Sequence, residues 1–322
     1  MKGYIIKDGK PMLTNIAEPS LKKHHVIVKN KVAGINHIDI RSMSNPDFIR
    51  KKHLLGFEGV GIVEQIDTSC VKTFKVGQRV CYATAFGVGA FCEKISIHEN
   101  FLSIVPDTIP DQYAATVFKA LAAHMLLFRT YSLHKGNTLG ITSSSGGTAS
   151  YLTQWAVNNG VKVIGLTSSS QHKAIAMENG CSSAFTYSDA VDFISQAKKL
   201  SSTGFGLNAF YDSMGIKAYA LGIKSLAPFG LYVNYGSLSG PIKGMSAKHL
   251  STKALFFTVP STFYSKANVS DLAITIIGIF DEMKKRTLRP NITQYKFAQL
   301  QKAFDDMLGG QIPGQKVLII DK

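Results

Sequence analysis

Residues 138–173 read TLGITSSSGGTASYLTQWAVNNGVKVIGLTSSSQHK, and this stretch decides the fold. Leu139 and Ile141 lie in a short β-prone run. The small residues Ser143-Ser144-Ser145-Gly146-Gly147 then break it. Leu152, Trp155, Ala156 and Asn159 follow at the spacing of one helix face, and three of the four are apolar. Gly160 stops that helix, and Val161, Val163 and Ile164 begin a second apolar strand. Two parallel strands joined by one helix make a βαβ unit. A small-residue turn between its first strand and its helix is where such a unit receives a phosphate.

The turn can be laid on the dinucleotide template G-x-G-x-x-G/A. Ser144 then holds the first position, Gly146 the second and Ala149 the third. Glycine at the second lets the backbone approach a pyrophosphate, and the third needs only a small residue. Serine at the first is a departure. An NAD site places an acid ~20 residues after this fingerprint, where it bonds the ribose 2′-hydroxyl. No acidic residue stands between Thr148 and Glu178. The second strand ends instead in Leu166-Thr167-Ser168-Ser169-Ser170-Gln171-His172-Lys173. Hydroxyls followed by a cation suit a 2′-phosphate, which a carboxylate would repel. The expected cofactor is therefore NADPH.

Around this stretch the chain changes texture. Residues 1 to about 110 carry short β-prone runs at 26–32, 61–66, 75–82 and 90–97, as in a compact β-rich domain. Asp111 to Phe128 reads as largely helical. Strands at 183–186, 207–211 and 230–235 then alternate with helices at 171–179, 189–200 and 216–226. Such alternation implies a doubly wound parallel sheet covered on both faces. Helices at 269–285 and 297–308 and a strand at 316–320 close the chain.

Composition narrows the class. The chain has 322 residues, 45% hydrophobic and 18% charged, a globular balance that suits two domains. No apolar run approaches the ~20 residues that span a bilayer, and charges flank the apolar patch of the first eight residues, unlike a secretory leader. Cys70, Cys81, Cys92 and Cys181 show no metal-ligand spacing and are expected as free thiols in a cytoplasmic protein. The net charge of +15 suits a polyanionic cofactor. Its lysines are scattered apart from knots at Arg50-Lys51-Lys52-His53 and Lys284-Lys285-Arg286, so no nucleic-acid reading surface is expected.

At this point the chain resembles a family. Gly34-Ile35-Asn36-His37-Ile38-Asp39, Gly-Phe-Glu-Gly-Val-Gly at 56–61, Val-Gly-Gln-Arg-Val at 76–80 and Ser-Gly-Gly-Thr-Ala at 145–149 occur in order. Phe210-Tyr211-Asp212-Ser213-Met214-Gly215 and Gly230-Leu231-Tyr232-Val233-Asn234-Tyr235-Gly236-Ser237 follow. The set is similar to the medium-chain dehydrogenase/reductase superfamily, and within it to the zinc-free quinone oxidoreductase group that includes zeta-crystallin. The resemblance implies a GroES-like β-rich catalytic domain at 1–115, a Rossmann NADPH-binding domain at 116–256 and a C-terminal segment at 257–322 that returns to the catalytic domain. It implies NADPH in the cleft between the domains. Asn36 would approach the nicotinamide ribose or ring. Ser145, Gly146, Gly147 and Thr148 would meet the pyrophosphate. Ser168, Lys173 and Tyr187 would surround the 2′-phosphate, with His172 able to share the role of Lys173. Tyr235, Gly236 and Ser237 would line the nicotinamide end, and Lys119 and Lys316 would reach the cofactor.

Zinc-dependent relatives use a cysteine where Asn36 stands and a histidine where Phe57 stands, so no catalytic zinc is expected. The family's Gly-Gly-Val-Gly is here Gly-Gly-Thr-Ala, and its Gly-Leu-Thr is Ala120-Leu121-Ala122. Residues 41–46 carry Arg41 and no tyrosine, where some quinone reductases place tyrosines. The expected activity is zinc-independent, NADPH-dependent hydride transfer to a quinone or related electron-poor carbonyl, with no side chain singled out as a general acid. The alternatives are an enal or enoyl reductase, and a non-catalytic NADPH-binding protein with RNA affinity. A homodimer is expected, paired through Leu255-Phe256-Phe257-Thr258-Val259 at a sheet edge.

Overall fold

The computed structural model describes residues 1–44, 54–84, 87–261 and 269–320. The basic knot at 50–53, and Asn45 and Pro46, lie outside the described residues. The chain divides into two compact units, Met1–Leu121 with Thr262–Lys322, and Ala122–Ser261.

In chain order, the first segment contains β1 (Lys2–Lys7), β2 (Lys10–Asn15), β3 (His25–Ile35), α1 (His37–Ser44), β4 (Glu58–Ile66), β5 (Arg79–Ala83), β6 (Lys94–His98), β7 (Leu102–Ile104), α2 (Asp111–Ala114) and α3 (Val117–Met125). The middle segment contains β8 (Thr138–Ile141), α4 (Gly147–Asn158), β9 (Lys162–Thr167), α5 (Ser170–Glu178), β10 (Ser183–Thr186), α6 (Ala190–Leu200), β11 (Leu207–Asp212), α7 (Ile216–Ser225), β12 (Leu226–Asn234), α8 (Ala247–Ser251) and β13 (Phe256–Thr258). The last contains α9 (Val269–Lys284), β14 (Ile292–Lys296), α10 (Leu300–Gly309) and β15 (Gln315–Ile319).

The second unit holds a parallel sheet in the order β10-β9-β8-β11-β12-β13. The reversal of strand order beside β8 is the switch point at which doubly wound sheets take ligands. β8 is buried at every residue and β9 at all but its first, as strands covered on both faces must be. Phe193 of α6 stands edge-on to Phe210 of β11 in that core. Trp155, the expected core residue of α4, is 5% exposed and lies edge-on to Phe128. The edge strand β13 turns Phe256 outward, while Phe257 stacks on Tyr232 at 5.3 Å.

The first unit is built on the sheet β14-β15-β3-β4-β5-β7, with β6 also on β3. β15, from the far end of the chain, runs antiparallel to β3 and sets Lys316 opposite Ile35. One core joins both ends of the chain, including Val28, Tyr82 and Phe91 with Phe304 and Leu318.

The helix expected over 111–128 is interrupted. It forms as α2, then α3, then a π-turn at Leu126–Thr130. The break has a cause. The Phe118 amide donates to Glu58 Oε2 at 2.7 Å, a side chain 60 residues away, and leaves the helical ladder.

Candidate functional site

In the second unit, β8 ends in the serine turn. Ser144 is fully buried, and both its amide and its hydroxyl donate to Leu166 O, at 3.0 and 3.2 Å. This serine in the first glycine position fits because Gly165 faces it on β9. A Cβ at Gly165 would come within 2.4 Å of Ser144 Oγ. Ser145 is buried, and Gly146 is the N-cap of α4 with no side-chain cap. Gly147 and Thr148 are half-buried in the first helical turn. A helix end without a capping side chain presents amide donors and the positive end of the helix dipole to an anion.

A buried carboxylate ties the neighbouring strand ends together. Asp212, the last residue of β11, accepts from Tyr232 Oη at 2.8 Å, from Asn234 Nδ2 at 3.1 Å and from the amides of Met214 and Gly215 at 2.7 and 2.9 Å. Thr142 Oγ1 donates to it at 3.3 Å and accepts from the Ser213 amide at 2.7 Å. Burial holds the Asp212 carboxyl above the usual range, and the hydrogen bonds oppose that shift. The same knot places Tyr235, whose amide donates to Asp212 O, and Gly236, whose carbonyl accepts from Asn234. Ser237 follows, half-buried. Ser213 Oγ donates to Ser143 Oγ at 3.0 Å, and the Ser143 amide donates to Tyr187 Oη at 3.4 Å. Tyr187 therefore reaches across from beyond β10 to the serine turn, and burial pushes its phenol up to about 12.

At the end of β9, Ser168 is exposed and its hydroxyl pairs with His172 Nδ1 at 3.2 Å. Lys173 Nζ donates to Asp189 Oδ2 at 2.8 Å. Sequence reasoning passed over Asp189, which lies 16 residues beyond Lys173.

The first unit carries a second polar cluster. Asn36 is 4% exposed, and its Nδ2 donates to Glu58 Oε1 at 2.9 Å. Its amide donates to Asp39 Oδ2 at 2.6 Å. Lys119 Nζ donates to Ile35 O at 2.9 Å and stands 3.6 Å from Glu58 Oε1. Gly34 allows this close packing, since a Cβ there would lie 2.2 Å from both Ala115 O and Glu58 Oε1. Burial raises the Asp39 carboxyl and lowers the Lys119 ammonium. Lys316 is 4% exposed, and burial, then Lys119, lower its pKa to about 8. Glu58 was visible in the sequence only as part of a glycine motif. A lone acid opening an apolar strand is the one local signal that could have marked it.

A profile described as the alcohol dehydrogenase GroES-like domain matches residues 22–107, and one described as zinc-binding dehydrogenase matches 147–276. A quinone oxidoreductase of Pseudomonas aeruginosa is 31% identical over 310 residues, covering 94% of this chain and 93% of that protein. This chain belongs to the medium-chain dehydrogenase/reductase superfamily, in its quinone oxidoreductase group. A 2-haloacrylate reductase of Burkholderia sp is 26% identical over 306 residues, 91% of this chain and 90% of that protein. The crystal structure of Escherichia coli quinone oxidoreductase complexed with NADPH superposes with a TM-score of 0.89 at 25% identity, covering 99% of each chain. The α/β Rossmann-type sheet and the GroES-like β-rich unit are those of this superfamily. The Asn36 amide is spent on Glu58, and Phe57 is a buried phenyl ring set edge-on to Phe118.

Gly165→Ala drives a methyl into Ser144 and should cost about 1–3 kcal/mol. Adding Ser144→Gly should restore most of that loss in urea denaturation, and an additive double variant would contradict the pairing. For Lys316, the unfolded chain holds its proton up to pH ~10.4, the folded chain only to about 8. Between those values the unfolded state binds more protons, so this lysine makes stability rise with pH. The slope should be measurable by urea denaturation and should be less positive in Lys316→Met.

Proposed function

We propose that the protein is a zinc-independent oxidoreductase that uses NADPH to reduce a quinone or a related electron-poor carbonyl. The observation that carries this reading is the β8–α4 turn. Its small, uncapped helix start lies beside a strand end that offers Ser168, His172 and Lys173, with no acid in the run from Thr148 to Met177. The quinone oxidoreductases it resembles, one of them solved with NADPH, support the same reading.

In this account Ser145, Gly146, Gly147 and Thr148 hold the pyrophosphate. Ser168 and Lys173 hold the 2′-phosphate, and Tyr187, whose hydroxyl accepts from the Ser143 amide, supports the serine turn. Tyr235, Gly236 and Ser237 line the nicotinamide end. Asn36, with Nδ2 committed to Glu58, offers Oδ1 to the nicotinamide ribose or ring, and Lys119 and Lys316 add positive charge for the anionic cofactor. When bound, NADPH supplies a hydride from nicotinamide C4. The residues around it position the acceptor and exclude water, and solvent or a nearby hydroxyl supplies the proton.

The fold suits a homodimer joined through β13. This strand ends the sheet, Phe256 is 57% exposed, and Val259 and Phe229 beside it are 65% and 67% exposed. The protein has no described helix long and apolar enough to cross a membrane. Its four free cysteines suit a reducing cytoplasm.

Fluorescence titration should show NADPH binding, and steady-state kcat/KM should be higher for quinones than for 2-alkenals. Absence of NADPH binding would falsify the reading, and the reverse preference would make the protein a carbon–carbon double-bond reductase. Light scattering should give a dimer that Phe256→Asp converts to monomer. A variant that stays dimeric rejects this edge. Phe257 is unsuitable for that test, because its ring packs on Tyr232.

A further inference from the structure

The lysine assigned to the 2′-phosphate already holds an anion. Lys173 Nζ lies 2.8 Å from Asp189 Oδ2, and both side chains are about one-third exposed. The carboxylate is itself fixed, since Asp189 Oδ2 also accepts from the Thr186 amide at 2.9 Å. Asp189 caps the approach to α6 just after β10, so the backbone holds it beside the strand end where Lys173 points. Lys173 and the Thr186 amide keep its carboxyl below the usual range, which leaves it charged throughout the working pH range.

We propose that Asp189 sets the nucleotide preference of this site by competing with the 2′-phosphate for the Lys173 ammonium. The inference rests on the NADPH reading above. Specificity is a difference between two affinities. NADH has no 2′-phosphate, so it leaves the Lys173–Asp189 pair as the free protein has it. NADPH brings a phosphate monoester to the same ammonium and must share it with a carboxylate. Asp189 therefore lowers the advantage of NADPH without touching the affinity common to both nucleotides. A compact ammonium on a flexible stem can serve either anion, because it recognises charge rather than a planar fork. The opposing effect is that Asp189 also restrains the lysine. The pair is only about one-third exposed, so the attraction that the phosphate must displace is larger than the ordering that Asp189 supplies to one lysine side chain.

The test is the dissociation constant for NADPH and for NADH, by fluorescence titration at low ionic strength, in four proteins and one control variant. These are the wild type, Asp189→Asn, Lys173→Gln and the double variant. Asparagine keeps an acceptor for the Thr186 amide and removes only the charge. Asp189→Asn should tighten NADPH roughly fivefold, the factor that about 1 kcal/mol of an exposed pair represents, and shift NADH by less than twofold. In the Lys173→Gln background the same change should shift NADPH by less than twofold. Asp189→Ser, which also keeps an acceptor, should repeat the result and guards against a folding defect in one variant. Unchanged or weaker NADPH binding in Asp189→Asn overturns the competition. A full gain in the Lys173→Gln background also overturns it, because Asp189 would then act by repulsion alone. Those outcomes leave the NADPH reading standing. A wild type that binds neither nucleotide removes that reading and this inference together.

Discussion

The Asp212 carboxylate is the interaction on which the nucleotide half of this protein depends. It gathers Thr142 after β8, the Met214 and Gly215 amides that open the way into α7, and Tyr232 and Asn234 of β12. Three strand ends are thereby locked at the switch point of the sheet. A buried carboxylate is tolerated only when its oxygens are satisfied, and five donors satisfy this one. Ser213 and Tyr235 take their places from the same knot, and through Ser143 it is joined to Tyr187. These loop ends are thus pinned to one buried carboxyl group, which holds their geometry better than free loops could.

Glu58 plays the matching part in the first unit. It receives the Asn36 amide group and the Phe118 backbone, and lies near the Lys119 ammonium. Those contacts orient Asn36, interrupt the helix that would otherwise run through 111–128, and require glycine at position 34. One acid therefore determines a side-chain orientation, a helix boundary and a glycine. The family resemblance puts the metal ligands of zinc-dependent relatives at positions 36 and 57. Here the same positions are an amide held by Glu58 and a phenyl ring in the core.

Local pattern made much of the fold legible. The strand at 183–186 and the helix starting at Ile216 needed only apolar periodicity and flanking glycine or polar residues. The βαβ unit was readable because the serine-glycine turn separates two apolar strands. Long-range polar contacts were not legible. The break at Phe118 depends on a residue 60 positions away, and the tolerance of Ser144 depends on Gly165 across the sheet. The pairing of Lys173 with Asp189 likewise joins two helices on either side of β10. Periodicity identifies which face of an element is buried. It carries no information about which buried donor meets which acceptor.

The uncapped start of α4, behind a turn of serines, is the proposed seat of the cofactor's pyrophosphate. A crystal structure of the protein with NADPH tests this most directly. The pyrophosphate should lie within hydrogen-bond distance of the amides of Gly147 or Thr148, with the 2′-phosphate beside Ser168 and Lys173. A nucleotide bound away from the β8–α4 turn, or with its adenosine end far from Ser168, would contradict it.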